Sequence, residues 1–344
     1  LLSLQYPTLM NFKSIGILLS TVLLTLSSCY NDIDLGNHKD ENGENLLSLN
    51  SIVNPDSTLT VMATRTFFFT DSHKERVAVE GLDITMTINE SENQHLRYDH
   101  EKKLYVSDFK PQEGDRIELS TKYKGQTVKC RAEMPRCVEI ESVTAKRQGP
   151  MYIFWENDYM FTYHITFSDR QGEKNYYFLR AIADVSGLDD TTYNVGQGQF
   201  DYSYEFVFQQ LAKTVNATVP GWKPYGSLGL PFSDDGIDGK TYTLTLKEVI
   251  QNSYGSRLWA YNAMQRQFRL YSISKDYYDY LVSIICADTS GEGIHAGMID
   301  IGIAEPSAIH NNIDGGVGIF GAYSMSSLKT NIFKQTGAFP RDNR

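Results

Sequence analysis

Period-two alternation constrains this chain more than any other feature. Leu82, Ile84, Met86 and Ile88 alternate with Asp83, Thr85, Thr87 and Asn89, and Ile117, Leu119, Thr121 and Tyr123 alternate with Arg116, Glu118, Ser120 and Lys122. Further along, Phe161, Tyr163, Ile165 and Phe167 share one face while Met160, Thr162, His164 and Thr166 take the other. Successive side chains on a strand point to opposite faces, so these runs mark antiparallel strands with one face in a core and one in water. Turn residues separate the runs: Asn54-Pro55-Asp56-Ser57, Glu113-Gly114-Asp115 and Lys124-Gly125-Gln126. The tyrosine content, 22 of 344 residues, fits the same picture. Aromatic and β-branched side chains suit a pleated, half-buried surface.

These signals predict an all-β, β-dominated protein. An immunoglobulin-like sandwich is expected over residues 46–136, closing near Met134-Pro135. A larger antiparallel β domain with one helix is expected over 138–344. In it, Ser168-Asp169-Arg170-Gln171-Gly172 turns the Phe161–Phe167 strand back into Asn175–Arg180. Tyr242, Leu244 and Leu246, then Phe268 and Leu270, mark two more strands, whereas residues 184–240 hold only Phe206-Val207-Phe208 as a firm apolar run. The helix is predicted over Lys275–Ala287: Ser274 is a good N-cap, Asp276 sits in the first turn, and Tyr277, Tyr280, Leu281, Ile284 and Ile285 form a stripe at helical spacing. Such a stripe packs a core.

The stretch Met10–Cys29 places the protein. Leu1 to Leu9 precede Met10, which reads as the initiator. Lys13, the apolar run Ile15–Leu26 and then Leu26-Ser27-Ser28-Cys29 have the form of a secretory signal over 10–29. The apolar run is too short for a membrane-spanning helix, which takes about 20 residues. Ending on a cysteine after Leu-Ser-Ser resembles a bacterial lipobox, in which Cys29 is acylated and becomes the mature N-terminus. Its acyl chains suffice for stable attachment to a membrane. Residues 30–45, polar and acidic, read as a flexible tether. Asp32 and Asp34 fit loosely with the acidic surface-export signals of Bacteroidota lipoproteins, so an outer-membrane, cell-surface location is expected.

The net charge of −10 argues against nucleic acid and against an anionic lipid surface as partner. No His-Glu-x-x-His helix, Gly-x-Ser-x-Gly elbow, phosphate loop or dinucleotide fingerprint occurs, so no catalytic residue and no cofactor is expected. His95 and His100, which a hairpin could bring together, lack a ligand at metal spacing. Asp234-Asp235-Gly236-Ile237-Asp238-Gly239 offers hard oxygen ligands but not the calcium-loop spacing, and reads as a solvated acidic turn. Gly315-Gly316-Val317-Gly318 runs into a strand rather than a helix, which favours close backbone packing over anion binding. Beyond Cys29, Cys130 and Cys286 sit on apolar faces and read as buried small hydrophobes, and no pairing among Cys130, Cys137 and Cys286 is assigned. One binding hint remains. Tyr193, Phe200, Tyr202, Tyr204, Trp222 and Tyr225 crowd an irregular glycine-rich region, and Tyr193, Tyr202, Tyr204, Trp222 and Tyr225 are the candidate ligand-binding residues for a peptide or glycan. The alternative is that these rings pack loops onto the sheet.

Three stretches together carry a family resemblance: the Asp169…Gly172…Asn175-Tyr176-Tyr177 hairpin, the helix start Ser274-Lys275-Asp276-Tyr277-Tyr278…Leu281, and Glu305-Pro306 followed by Asn312-Ile313-Asp314-Gly315-Gly316-Val317-Gly318-Ile319-Phe320-Gly321-Ala322. The chain resembles, over most of its mature length, a family of Bacteroidota outer-membrane lipoproteins catalogued as a domain of unknown function, DUF4249. Members are similar in being lipoproteins, often encoded beside a TonB-dependent outer-membrane transporter. The resemblance implies a non-catalytic accessory to nutrient uptake that captures or hands over a ligand, with the transporter as partner. It carries no catalytic residues to this chain. The other classes open to the sequence are an extracellular hydrolase with an unrecognised site and a structural or adhesive envelope protein.

Overall fold

The computed structural model describes residues 45–67, 77–154, 158–184, 200–217, 221–226, 229–250, 265–290 and 307–339. The signal and lipobox cysteine Cys29, the tether up to residue 44, Tyr193 and Glu305-Pro306 lie outside the described residues. Within them the protein is β-dominated, as the alternation predicts.

The first half contributes β1 (Leu47–Val53), β2 (Thr60–Arg65), β3 (Val77–Ala78), β4 (Thr85–Ile88), β5 (Glu92–His95), β6 (Arg97–Asp99), β7 (Leu104–Val106), β8 (Arg116–Tyr123) and β9 (Gln126–Glu133). The second half contributes β10 (Ile140–Met151), β11 (Asp158–Ser168), β12 (Tyr176–Asp184), β13 (Phe200–Asp201), α1 (Phe206–Asn216), β14 (Tyr225–Gly226), β15 (Leu230–Ser233), β16 (Thr241–Ile250), β17 (Gln265–Ile273), α2 (Lys275–Ser290), β18 (Val317–Thr330) and α3 (Ile332–Thr336).

Three sheets organise these strands. The largest has nine, in the order β15-β12-β17-β18-β1-β2-β7-β6, with β3 paired to β2. A four-stranded sheet, β5-β4-β8-β9, shares one hydrophobic core with its β1–β2 part: Leu47, Leu49 and Val61 meet Met86, Leu119 and Val128. A five-stranded sheet, β10-β11-β16-β13-β14, shares a second core with its β12–β17 part, where Phe161, Tyr163, Ile165 and Phe167 meet Tyr177, Leu179, Phe268 and Leu270. One sheet runs through both cores. The expected hairpin at 168–172 does not form: β11 pairs with β10 and β16 and β12 with β15 and β17, so the turn carries the chain from one sheet to the other across the second core.

The join is β18. It pairs antiparallel with β17 on one side and parallel with β1 on the other, from Ser48 opposite Val317 to Val53 opposite Ala322. Phe320 and Ala322 belong to the first core, and Leu328 packs on the second. The glycines noted in the sequence make this ladder possible. Gly318 has φ +124°, and a Cβ there would land within the shell of the Leu49 carbonyl oxygen. Gly321 lies under α2, where an added Cβ would meet the Tyr277 Cβ at 2.9 Å. The strand-and-close-packing reading of this stretch therefore holds.

Buried serines complete the seam. On the core face of β17 and β18, Ser272 accepts from the Val138 N–H at 3.1 Å and Ser326 from the Ile140 N–H at 2.9 Å, while the Ser324 hydroxyl donates to the Pro135 carbonyl. They satisfy backbone groups of the segment that crosses from one core to the other, groups that no ladder could pair.

Among the described residues there are three helices, not one. The run Phe206-Val207-Phe208, the firm apolar run of 184–240, opens α1, whose Val207, Phe208, Leu211 and Val215 are buried. Their spacing is helical, but it shows only when Leu211 and Val215 are taken with the opening run. α2 extends three residues past the expected end, to Ser290. Ser274 caps it, accepting from the Tyr277 N–H at 3.4 Å, and its hydroxyl also accepts from the Ala322 N–H at 3.1 Å. The cap thus ties the helix to β18. Tyr278 stacks on Tyr176 at 4.8 Å between ring centroids. α3 lies against β10, where Gln335 accepts from the Ala145 N–H and donates to the Val143 carbonyl. Those bonds cover part of an edge strand that would otherwise expose its pairing groups.

One charged group lies deep in the second core. Glu248 on β16 and Arg266 on β17 are 2% and 1% exposed and bridge the two sheets. The guanidinium binds the carboxylate twice, at 3.0 and 2.9 Å, and the Tyr163 hydroxyl donates to the same carboxylate at 2.5 Å. Burial, then the Glu248 charge, holds the Tyr163 hydroxyl far above its ordinary pKa.

Candidate functional site

A cleft of about 1140 Å³ opens where the two cores meet. One wall is the solvent-facing side of the four-stranded sheet at one end of β8 and β9, with Asn89, Arg116, Glu118, Arg131 and Glu133. The opposite wall is Glu173–Tyr176, leading into β12, together with Ser272–Asp276, where β17 passes into α2. The crossing segment Met134-Pro135-Arg136 also lines it. The size suits a small ligand or a short stretch of polymer.

The lining is polar and its charges are compensated. Arg116 pairs with Glu133 at 3.3 Å, Lys129 with Glu118 at 3.9 Å, and Arg136 with Glu173 at 3.6 Å. His310 meets Asp276 at 3.0 Å, and Lys275 pairs with Asp279 one helical turn on. Tyr176 is the aromatic surface in this wall, with the Lys174 ammonium 5.7 Å from its ring centroid. A wall of this kind offers many hydrogen bonds, little net charge and one ring. That chemistry matches a peptide backbone or a sugar better than an apolar or strongly ionic ligand.

Behind the Glu173–Tyr176 wall lies a knot of carboxylates. Asp169, Asp234 and Asp238 each offer an oxygen, all within 4.8 Å of one another, and could in principle share a cation. Those oxygens already have partners. Asp169 accepts from the Tyr177 hydroxyl and from the Gly239 N–H at 2.9 Å. Asp234 accepts from Lys174 at 2.5 Å and from the Asn175 N–H at 2.6 Å, and Asp238 accepts from the Gly172 N–H at 2.9 Å. Lys174 also reaches Asp235 at 2.6 Å. Burial lowers the pKa of this ammonium, but the two carboxylates outweigh it and the net shift is upward. The knot pins the β11–β12 turn to the turn before β16. The acidic turn at 234–239 is thus partly buried, Asp234 being 3% exposed, rather than wholly solvated. It sets the Glu173–Tyr176 wall of the cleft in place.

Asp169 carries a testable consequence. Burial raises its pKa; the Tyr177 and Gly239 hydrogen bonds oppose that rise, and Asp234 and Asp238 add to it. The folded chain therefore holds this proton more tightly than the unfolded chain. Between the ordinary carboxyl value of about 3.9 and the raised folded value, stability falls as pH rises. Urea titrations of wild type and Asp169→Asn should show the wild type's relative stability highest at acid pH and declining across that window. A difference that stays flat with pH would remove Asp169 from this role.

Among the described residues, the aromatic candidates do not assemble into a pocket. Tyr202 is fully buried, its ring edge-on to Phe208 at 5.0 Å, and so packs the core rather than facing a ligand. Trp222 is half-buried against the same core, and its carbonyl accepts from Asn216 at 3.1 Å. Tyr204 is exposed on the surface beneath the Lys247 ammonium, 3.4 Å from its ring centroid. Tyr225 contributes its backbone to β14, and its side chain lies outside the described residues, as does the whole of Tyr193. Tyr202 and Trp222 do what the alternative reading held: they fasten irregular segments to the sheet.

Other candidates resolve simply. His95 pairs with Asp83 at 2.6 Å and His100 with Glu80 at 3.5 Å, each on the surface with its own carboxylate. Cys130 and Cys286 are buried, as their apolar neighbours indicate. Cys130 and Cys137 both carry thiols pushed up to about 12, chiefly by burial. Sequence reasoning missed the cleft because its residues are ordinary polar types drawn from five separate segments. The signal within reach was the family motif Asp169…Asn175, both of whose ends serve the knot.

A multi-sheet β protein with an open polar cleft at the junction of two cores is the class these features define. A family model described as a domain of unknown function, DUF4249, matches residues 32–329. The chain belongs to this family. The comparison with curated proteins returned no match.

Proposed function

We propose that the protein is a non-catalytic outer-membrane lipoprotein, anchored through acylated Cys29, that captures a peptide or glycan and hands it to a TonB-dependent transporter. The observation that carries this reading is the cleft between the two cores, polar, charge-compensated and bordered by Tyr176. The lipobox-like sequence at 26–29 and the membership in DUF4249 support the location and the partnership.

The test is a pull-down of the lipidated protein from native membranes, read by mass spectrometry. Recovery of a TonB-dependent channel supports the handover role. Recovery of the protein alone, from membranes in which such channels are detected, would overturn that role and leave a free-standing binder or an enzyme.

A further inference from the structure

The outer face of the nine-stranded sheet, opposite the second core, carries an arrangement that the cleft does not use. On β12, Tyr177, Leu179 and Ala181 point into the core, so Arg180 lies on the other face. On β17, Arg266, Phe268 and Leu270 point inward and Arg269 lies outward. Arg180 and Arg269 are direct partners in the antiparallel ladder, which brings two like charges side by side. Like charges directly opposite in a sheet are destabilising unless something neutralises them.

No carboxylate among the described residues pairs with either guanidinium, in a chain whose net charge is −10. Arg180 makes no hydrogen bond among the described residues, and the Nε of each arginine is buried without an acceptor. Arg269 is nonetheless held in place. One of its terminal nitrogens donates to Gln267 Oε1 at 3.0 Å, and the Gln267 amide donates in turn to Ser327 at 2.7 Å. In the neighbouring register row Phe178 and Tyr271 pack at 5.5 Å and wall off one side. Buried polar groups left without partners call for an explanation, and two orphaned Nε donors on adjacent guanidinium groups with no carboxylate partner among the described residues fit one ligand class.

We propose that Arg180 and Arg269 form a binding site for an oxyanion, a carboxylate or phosphoryl group of a small molecule, distinct from the polar cleft. The guanidinium fork matches the geometry of either group in a way that an ammonium does not. An oxyanion at this place neutralises the cross-strand repulsion and accepts from the orphaned donors together.

The experiment is a calorimetric titration of the purified protein with inorganic phosphate and, separately, with succinate, at an ionic strength fixed by sodium chloride. The expected result is saturable binding of at least one of the two, with a matching rise in melting temperature. Phosphate alone marks a phosphoryl ligand, and succinate alone a carboxylate. Affinity should fall at least tenfold in the Arg180→Gln/Arg269→Gln variant, which loses the like-charge contact and should melt no lower than wild type without anion. If that variant does not fold, Arg180→Lys keeps the charge but loses the fork, and its affinity should fall severalfold. No binding of either anion by wild type, or an affinity unchanged in whichever variant folds, would overturn the proposal. The cleft reading stands or falls separately, on the pull-down.

Discussion

Replacing Arg266 by methionine should destabilise the protein by about 3–5 kcal/mol, the usual cost of stranding one member of a buried ion pair. The reason is geometric. Glu248 keeps its place between the sheets, 2% exposed, and after the substitution has only the Tyr163 hydroxyl for a partner. A buried carboxylate left there without its guanidinium keeps the full cost of its desolvation. Urea denaturation of wild type and variant at pH 8 measures the loss. The triple replacement Arg266→Met, Glu248→Leu, Tyr163→Phe removes every polar partner together. It should lie within about 1–2 kcal/mol of wild type or above it, as apolar replacement of buried ion pairs often does. A single variant as stable as wild type at pH 8 would show that the carboxylate finds water or another donor.

The second large effect is expected at Gly318. Valine there must adopt φ near +124°, which L side chains rarely take, and its Cβ collides with the Leu49 carbonyl oxygen in the partner strand. Neither fault can be relieved without parting β1 from β18. The expected cost exceeds about 4 kcal/mol, the range reserved for backbone and core failures. Hydrogen exchange gives a sharper readout than melting alone. Amides of 48–53 and 317–322 should lose protection first, while the β11–β16 ladder, which lies in the other core, should hold longer. Uniform loss across both cores would mean that the parallel ladder is not a separable unit.

The parts of the fold that were legible are those whose information is local. The β8–β9 hairpin announces itself because alternation and turn residues sit within a few positions of each other. The strands β11 and β12 were legible for the same reason, but their partners were not, since the turn between them carries the chain from one sheet to the other. The α2 start was readable for the same reason, with Ser274 and the tyrosine stripe adjacent in the chain. The β1–β18 ladder was not, since nothing in Leu47–Val53 says that its neighbour is Val317–Thr330 rather than another early strand. α1 was hidden by Phe206-Val207-Phe208, three β-favouring residues at the head of a helix whose periodicity shows only by Leu211 and Val215. The aromatic cluster misled for a related reason. Composition counts rings but does not say which way they point, and Tyr202 points inward. The cleft was illegible because it is a property of two cores meeting, assembled from residues whose types carry no signature.

The parallel ladder also fixes an order of events. A chain synthesised from its N-terminus delivers β1 early and β18 almost last. Until β18 arrives, β1 has β2 on one side and an open edge on the other. An exposed strand edge recruits whatever extended segment is near, including a second copy of itself. Non-local pairing of this kind is also slow to form. The first half of this protein therefore cannot finish its own sheet while it waits, and an early-terminated product ending before residue 317 would carry an unfilled slot in place of its central strand.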